Sequence, residues 1–196
     1  QLMTTSGRIE LMAPAGNFES MQAALDNGCD SIYFGVEQLN MRARATVNFV
    51  LDDLPEIARR CNEKNVRTYL TLNTIIYDHD LSIVKTLLTK AKEAGITAVI
   101  ASDQAVIMTA RTIGMEVHIS TQLNVTNIET VKFYAMFADT IVLSRELSLR
   151  QVKKITDDIE KEQVKGPSGN LVEIEIFGHG ALCMAVSGKC YLSLHS

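Results

Sequence analysis

The chain has 196 residues, of which 46% are hydrophobic and only 3 are proline, so it holds enough apolar material for one sizeable core and little linker-like composition. Its formal net charge of -4 supplies no global attraction to nucleic acid, although a local basic patch is compatible with it. No apolar run reaches the roughly 18 to 20 residues that span a bilayer and no charged-then-apolar leader opens the chain, which reads as one soluble, cytoplasmic domain over residues 1–196, cut as a fragment by its non-Met start and abrupt end.

Taken in order, the chain opens with a strand predicted at "IELMA" (Ile9–Ala13), followed by the amphipathic segment "NFESMQAALDNG". "SIYFGV" (Ser31–Val36) is the second strand, and "LDDLPEIARRCNEKN" the second helix. "VRTYLTL" (Val66–Leu72) leads to "LSIVKTLLTKAKEAG", where Ile83, Leu87, Leu88 and Ala91 recur at helical spacing, Lys85 and Lys92 fall off that stripe, and Gly95 closes the helix. "AVIA" (Ala98–Ala101), "EVHIS" (Glu116–Ser120), "TIVLS" (Thr140–Ser144) and "VEIEIF" (Val172–Phe177) are the remaining strands. They alternate with helices at "DQAVIMTARTIG", "NIETVKFYAMFA" and "SLRQVKKITDDIEKE". "KEQVKGPSGNL" reads as the one irregular surface loop.

Strict alternation of strand and helix implies parallel strands with crossover helices. No Gly-x-Gly-x-x-Gly follows the first strand, so a dinucleotide-binding sheet has no support. A mean repeat of about 27 residues favours an α/β, TIM-barrel-like (β/α) barrel whose eighth unit is missing or lies beyond the chain end.

In such folds the site gathers at the carboxyl ends of the strands, and these strands exit into polar residues. Asn17 and Asp103 fit helix caps. Capping does not require the long side chains of Gln122, Arg145 or His179, so Asn73, His118, Gln122, Arg145, Glu146 and His179 are expected around one cavity, with Asn124 at the fifth strand's exit as a substrate-binding residue. Glu146 has a second reading, as the partner of Arg145 or the cap of "LSLRQVKKI".

Four cysteines in a chain of this size suggest reduced thiols or metal ligands rather than a disulfide scaffold. Cys29 and Cys61 fit packing positions. Cys183 and Cys190 stand instead in "GHGALCMAVSGKCYLS", beside glycines, a histidine and a lysine. Their Cys-x6-Cys spacing is weak for zinc, and "SGKC" fails as a phosphate loop because Cys183 stands where its first glycine belongs. Neither a His-Glu-x-x-His helix nor a Gly-x-Ser-x-Gly elbow occurs. A nucleophilic pair of His179 with Cys183 or Cys190 stays open.

"LMAPAGNFESMQAALDNGCDSIYFG", "HISTQLNVTN", "IVLSRELSL" and "EIEIFGHGALCMAVSGKCYLS" together resemble the amino-terminal catalytic region of the peptidase U32 family, the collagenase-like proteases. The resemblance covers nearly the whole chain. It implies iron-sulfur enzymes of oxygen-independent hydroxylation, whose substrates are tRNA wobble uridine, a cytidine of large-subunit ribosomal RNA or a ubiquinone precursor. "VLSRELSL" and "IFGHGALCMA" are most similar to the RNA branches, and "VEQLNMRA" lacks the cysteine of the quinone branch. By this resemblance Cys183 and Cys190 are the first two of four ligands of a 4Fe-4S cluster, completed beyond the chain end, with His179 nearby to tune it or relay protons. Arg42 and Arg44 match basic family positions suited to a substrate carboxylate or an RNA phosphate, and the RNA branches imply prephenate as a hydroxyl source held with Arg145. Peptide hydrolysis, as the family name implies, is the alternative; a catalytically inert substrate-binding barrel is a third. Nothing in the sequence sets the oligomeric state or the identity of the RNA.

Overall fold

The structure, a computed structural model, describes residues 10–37, 49–177 and 183–186. Two compact units divide it: Met12–Val117, and a second that joins Gln1–Leu11 to His118–Ser196.

In the first unit, strands β1 (Glu10–Pro14, which begins in the other unit), β2 (Ser31–Phe34), β3 (Arg67–Leu72) and β4 (Ala98–Ala101) run parallel, each beside the next in sequence. Helices α1 (Phe18–Asp26), α2 (Leu54–Glu63), α3 (Leu81–Ala94) and α4 (Gln104–Ile113) make the crossovers. The register places Ala13, Ile32, Thr68 and, one pleat on, Phe34, Leu70 and Val99 on one face. That face is apolar except for Thr68, whose backbone N–H is taken by Thr97 Oγ1 at 3.0 Å while its own Oγ1 accepts from Thr97 N at 3.1 Å. Each helix hides one stripe, Met21 and Leu25 on α1, for instance, and Leu54, Ile57, Ala58 and Cys61 on α2. On α3 the stripe is Val84, Leu87, Leu88 and Ala91; Ile83 is 39% exposed, a correction to the stripe read from sequence, because the helix turns Val84 inward instead. Gly95 ends α3 in the left-handed region at φ 94°, where a side chain would be strained.

In the second unit β5 (Glu116–Ile119, whose first two residues belong to the first unit), β6 (Thr140–Val142) and β7 (Glu173–Phe177) are again parallel, linked by α5 (Ile128–Ala135) and α6 (Leu149–Lys161). His118 pairs with Thr140 and Thr140 with Glu173; Ile119, Ile141 and Ile174 form the next rung. All seven strands and six helices read from the sequence are present, in the α/β, TIM-barrel-like order expected of them. An eighth strand, β8 (Cys183–Val186), was not anticipated: it runs antiparallel to β7, with Phe177 opposite Cys183 and Ile174 opposite Val186. The stretch read as an irregular loop is closed by an antiparallel bridge between Lys165 and Leu171, and Val172 N donates to Val164 O at 3.0 Å. Among the described residues no helix is long and apolar enough to cross a membrane.

Candidate functional site

In the unit Met12–Val117 two of the strand-end polar residues are structural. Asn17 Oδ1 accepts from Ser20 N at 2.8 Å and Ser20 Oγ accepts from Asn17 N at 3.2 Å, a capping box at the start of α1. Asp103 Oδ1 accepts from Ala105 N at 2.7 Å and opens α4. Asn73 lies exposed just past β3. The loop it begins also exposes Ile75 and Tyr77, and the Tyr77 ring stacks on His79 with centroids 5.7 Å apart and planes 4° from parallel. Sequence reasoning passed over this aromatic pair.

The two described thiols are packing residues of the same unit. Cys61 is fully buried against Met21 Sδ, 3.9 Å away, and burial, aided by nearby Cys29, pushes its thiol up to about 11. Burial and Asp30 push Cys29 up as well. A raised value favours the protonated thiol, the opposite of what a nucleophile or metal ligand needs.

In the second unit the loops after β5 and β6 are tied together. Val125 bridges Leu143 in parallel, Ser144 N donates to Val125 O at 3.0 Å, and Leu143 N donates to Glu175 O at 2.9 Å. Ser120 Oγ takes the Gln122 N–H at 3.3 Å to cap a single 3-10 turn, which ends at Asn124 in the left-handed region at φ 50°. Gln122, Asn124, Arg145 and Glu146 are therefore exposed on two adjoining loops at the carboxyl ends of β5 and β6. Ser144 Oγ donates to the Glu146 carboxylate, and the cap of α6 is Ser148, not Glu146.

His118 sits a layer below these loops, 3% exposed, within the sheet. Its Nδ1 lies 3.5 Å from Oε1 of Glu175, which is 1% exposed. The register puts His118, Thr140, Glu173 and Glu175 on one face. Glu175 was missed from the sequence; the only trace of it there is the alternation of glutamates in "VEIEIF", which marks two of them as sharing a face.

His179, Arg42, Arg44 and Cys190 lie outside the described residues. Cys183 opens β8, its backbone opposite Phe177 at the carboxyl end of β7. Among the described residues, no three His, Cys, Asp or Glu side chains converge as a metal site would need. A groove of about 480 Å³ between Lys132, Met136, Glu162 and Lys165 lies where α5 and α6 end, the side of the sheet opposite the strand ends that carry (β/α) sites.

The sequence profile described as peptidase family U32 matches residues 16–196. A protein of Porphyromonas gingivalis strain W83 named "Collagenase" is 54% identical over 95% of this chain and 45% of its own length. "tRNA hydroxylation protein P1" of Bacillus subtilis is 30% identical over 95% of this chain and 42% of its own, and "23S rRNA 5-hydroxycytidine C2501 synthase" of Escherichia coli is 32% identical over 98% and 27%. The chain thus spans less than half the length of these relatives. Among solved structures, the U32 peptidase Mk0906 superposes with a TM-score of 0.65 at 14% identity, covering 90% of this chain and 71% of that one, a likeness of fold. With a profile match over nearly all of its length and a relative this similar, the chain belongs to peptidase family U32.

Proposed function

We propose that the chain is the site-bearing portion of a cytoplasmic iron-sulfur enzyme that hydroxylates RNA without oxygen, on tRNA wobble uridine or a large-subunit ribosomal cytidine. The observation that supports this most is similarity to relatives named for tRNA hydroxylation and for 5-hydroxycytidine synthesis over nearly the whole of this chain. The polar, exposed strand-end loops carrying Gln122, Asn124, Arg145 and Glu146 suit an anionic substrate, with the Arg145 guanidinium as its charge partner for an RNA phosphate or the carboxylate of prephenate. The exposed Tyr77–His79 stack offers a face on which an unpaired base can lie.

Thiolate donors fit an iron-sulfur cluster, and Cys183 and Cys190 would hold two of its four corners, the others coming from a part of the protein beyond this chain. The register of β8 supports the role of Cys183, since it sets that residue at the carboxyl end of β7. Cys29 and Cys61, half-buried and buried, have thiols pushed up by burial and do not fit. The bound cluster would supply electron transfer; this chain's own residues bind the anion, orient the base and hold protons.

A second reading, peptide hydrolysis, is favoured by the 54% identity to the protein named "Collagenase". It would need a nucleophile from the segment around His179, Cys183 and Cys190, because both described thiols have raised values. One comparison separates the two. Nucleosides of a deletion strain, complemented with the full-length protein or with its Arg145→Ala variant, are analysed by mass spectrometry, and the purified protein is assayed on denatured collagen. Hydroxylated nucleoside that returns with the wild type and falls with Arg145→Ala supports RNA hydroxylation. Collagen cleavage without any nucleoside change overturns it. Cys183→Ala or Cys190→Ala should strip iron and sulfide from the anaerobically purified protein, whereas Cys29→Ala and Cys61→Ala should not.

A further inference from the structure

Two ionisable side chains from non-adjacent strands meet inside the sheet of the second unit. His118 on β5 and Glu175 on β7 reach across β6, whose Thr140 and Val142 are buried at 2% and 3% exposure, and bring Nδ1 to 3.5 Å from Oε1. The approach is an electrostatic contact whose geometry at His118 Nδ1 is not that of a hydrogen bond, and Glu175 Oε2 is buried with no hydrogen-bond partner among the described residues. An interior carboxylate pays a desolvation cost of several kcal/mol, and a carboxylate present for packing is normally satisfied at both oxygens. An apolar side chain of the same volume would avoid that cost, so a glutamate placed beside the imidazole calls for a role beyond packing.

We propose that Glu175 is a positioning residue for His118: its carboxylate fixes the imidazole as the Nδ1–H tautomer, so that Nε2 is the nitrogen that takes a proton at the site. A carboxylate beside one ring nitrogen favours the proton there and raises the basicity of the other. When Nε2 accepts a proton an N–H bond forms, and the imidazolium so made lies beside the Glu175 carboxyl group. The same hydrogen-bond net that anchors Glu175, through its backbone O and Leu143 N, ties β7 to the loop carrying Arg145, so tautomer and loop are set by one strand. This role rests on the RNA-hydroxylation reading only for its reaction; the tautomer itself is tested without it.

The test uses full-length protein carrying 15N-labelled histidine, with the His118 signals assigned by their loss in His118→Gln. Long-range proton-nitrogen correlation should show Nδ1–H in the wild type. In Glu175→Gln, which keeps shape and removes charge, the Nδ1–H share should fall and the modified nucleoside in complemented cells should drop at least tenfold, at unchanged protein level. Glu175→Asp should restore part of both. An unchanged tautomer in Glu175→Gln overturns the proposal, and so does a changed tautomer with full nucleoside modification. Should wild-type protein restore no nucleoside at all, the functional reading fails while the tautomer result still decides the role of Glu175.

Discussion

Gly166→Ala should cost about 3 kcal/mol of stability, although the residue lies in a loop. Gly166 is not among the glycines with positive φ, so the penalty comes from space rather than from backbone conformation. A Cβ built there would stand 2.9 Å from Asp139 Cα and 3.0 Å from Ala138 O, and would strike Asp139 Oδ1. The first two are backbone atoms at the entrance to β6 and cannot swing aside. Asp139 Oδ1 in turn accepts from Ser168 Oγ at 2.7 Å and Ser168 N at 3.1 Å, and Asp139 O accepts from Glu173 N at 2.8 Å, where β7 begins. Overpacking of this kind costs about 1 to 3 kcal/mol, and each displaced hydrogen bond about 0.5 to 1.5 kcal/mol. The assay is urea unfolding of wild type, Gly166→Ala and Asp139→Ala in the full-length protein, followed by a signal from this domain. Asp139→Ala loses the two Ser168 bonds without the clash and should fall between the other two. A Gly166→Ala midpoint shift worth less than about 0.5 kcal/mol, the scatter of ordinary surface substitutions, would refute the reasoning.

The capping box at Asn17 predicts that Asn17→Ala costs about 1 kcal/mol and Asn17→Gly only a few tenths, measured by thermal unfolding; equal costs would mean the side chain does something other than cap. Cys61, with its thiol pushed up to about 11, should resist iodoacetamide at pH 8 in the native protein and react promptly in denaturant, by mass spectrometry of the tryptic peptide; rapid native labelling would contradict its burial. The guanidinium groups of Arg59 and Arg60 hold the Glu56 carboxylate down to about 2. Because its folded value is depressed, whatever it contributes to stability is present above the ordinary carboxylate range and is lost as pH falls through that range toward 2. All three side chains are solvent-accessible, so added salt should bring its carbon-13 titration back toward the ordinary value, and a salt-independent midpoint would count against the pairing.

Much of the fold was legible because its signals are local. Each strand is a short apolar run, each helix carries a 3.6-residue stripe, and Asn17, Asp103 and Gly95 punctuate them by chemistry that depends on the next few residues alone. Ile83 was misplaced by one position because an apolar pair, Ile83-Val84, satisfies the stripe either way until neighbouring helices choose a face. β8 escaped notice because its apolar residues sit among glycines and cysteines that drew a metal-motif reading. Of the site, the residues that stand at strand ends could be named, since a parallel βα order dictates where strands stop. The meeting of His118 with Glu175 could not: it depends on the register of β5 on β6 and of β6 on β7, two alignments that nothing within either strand encodes.

The first unit, Met12–Val117, is one uninterrupted stretch of chain, and each of its strands pairs with the one that follows it in sequence. Every pairing therefore closes one short stretch of chain between consecutive strands, an entropic cost that grows only slowly with loop length. On a ribosome this stretch can assemble strand by strand as it emerges, without waiting for residues still to be translated. Its amides should accordingly gain protection from hydrogen exchange earlier in refolding than those of β7, whose backbone is held by Asp139 ahead of it and by β8 behind it.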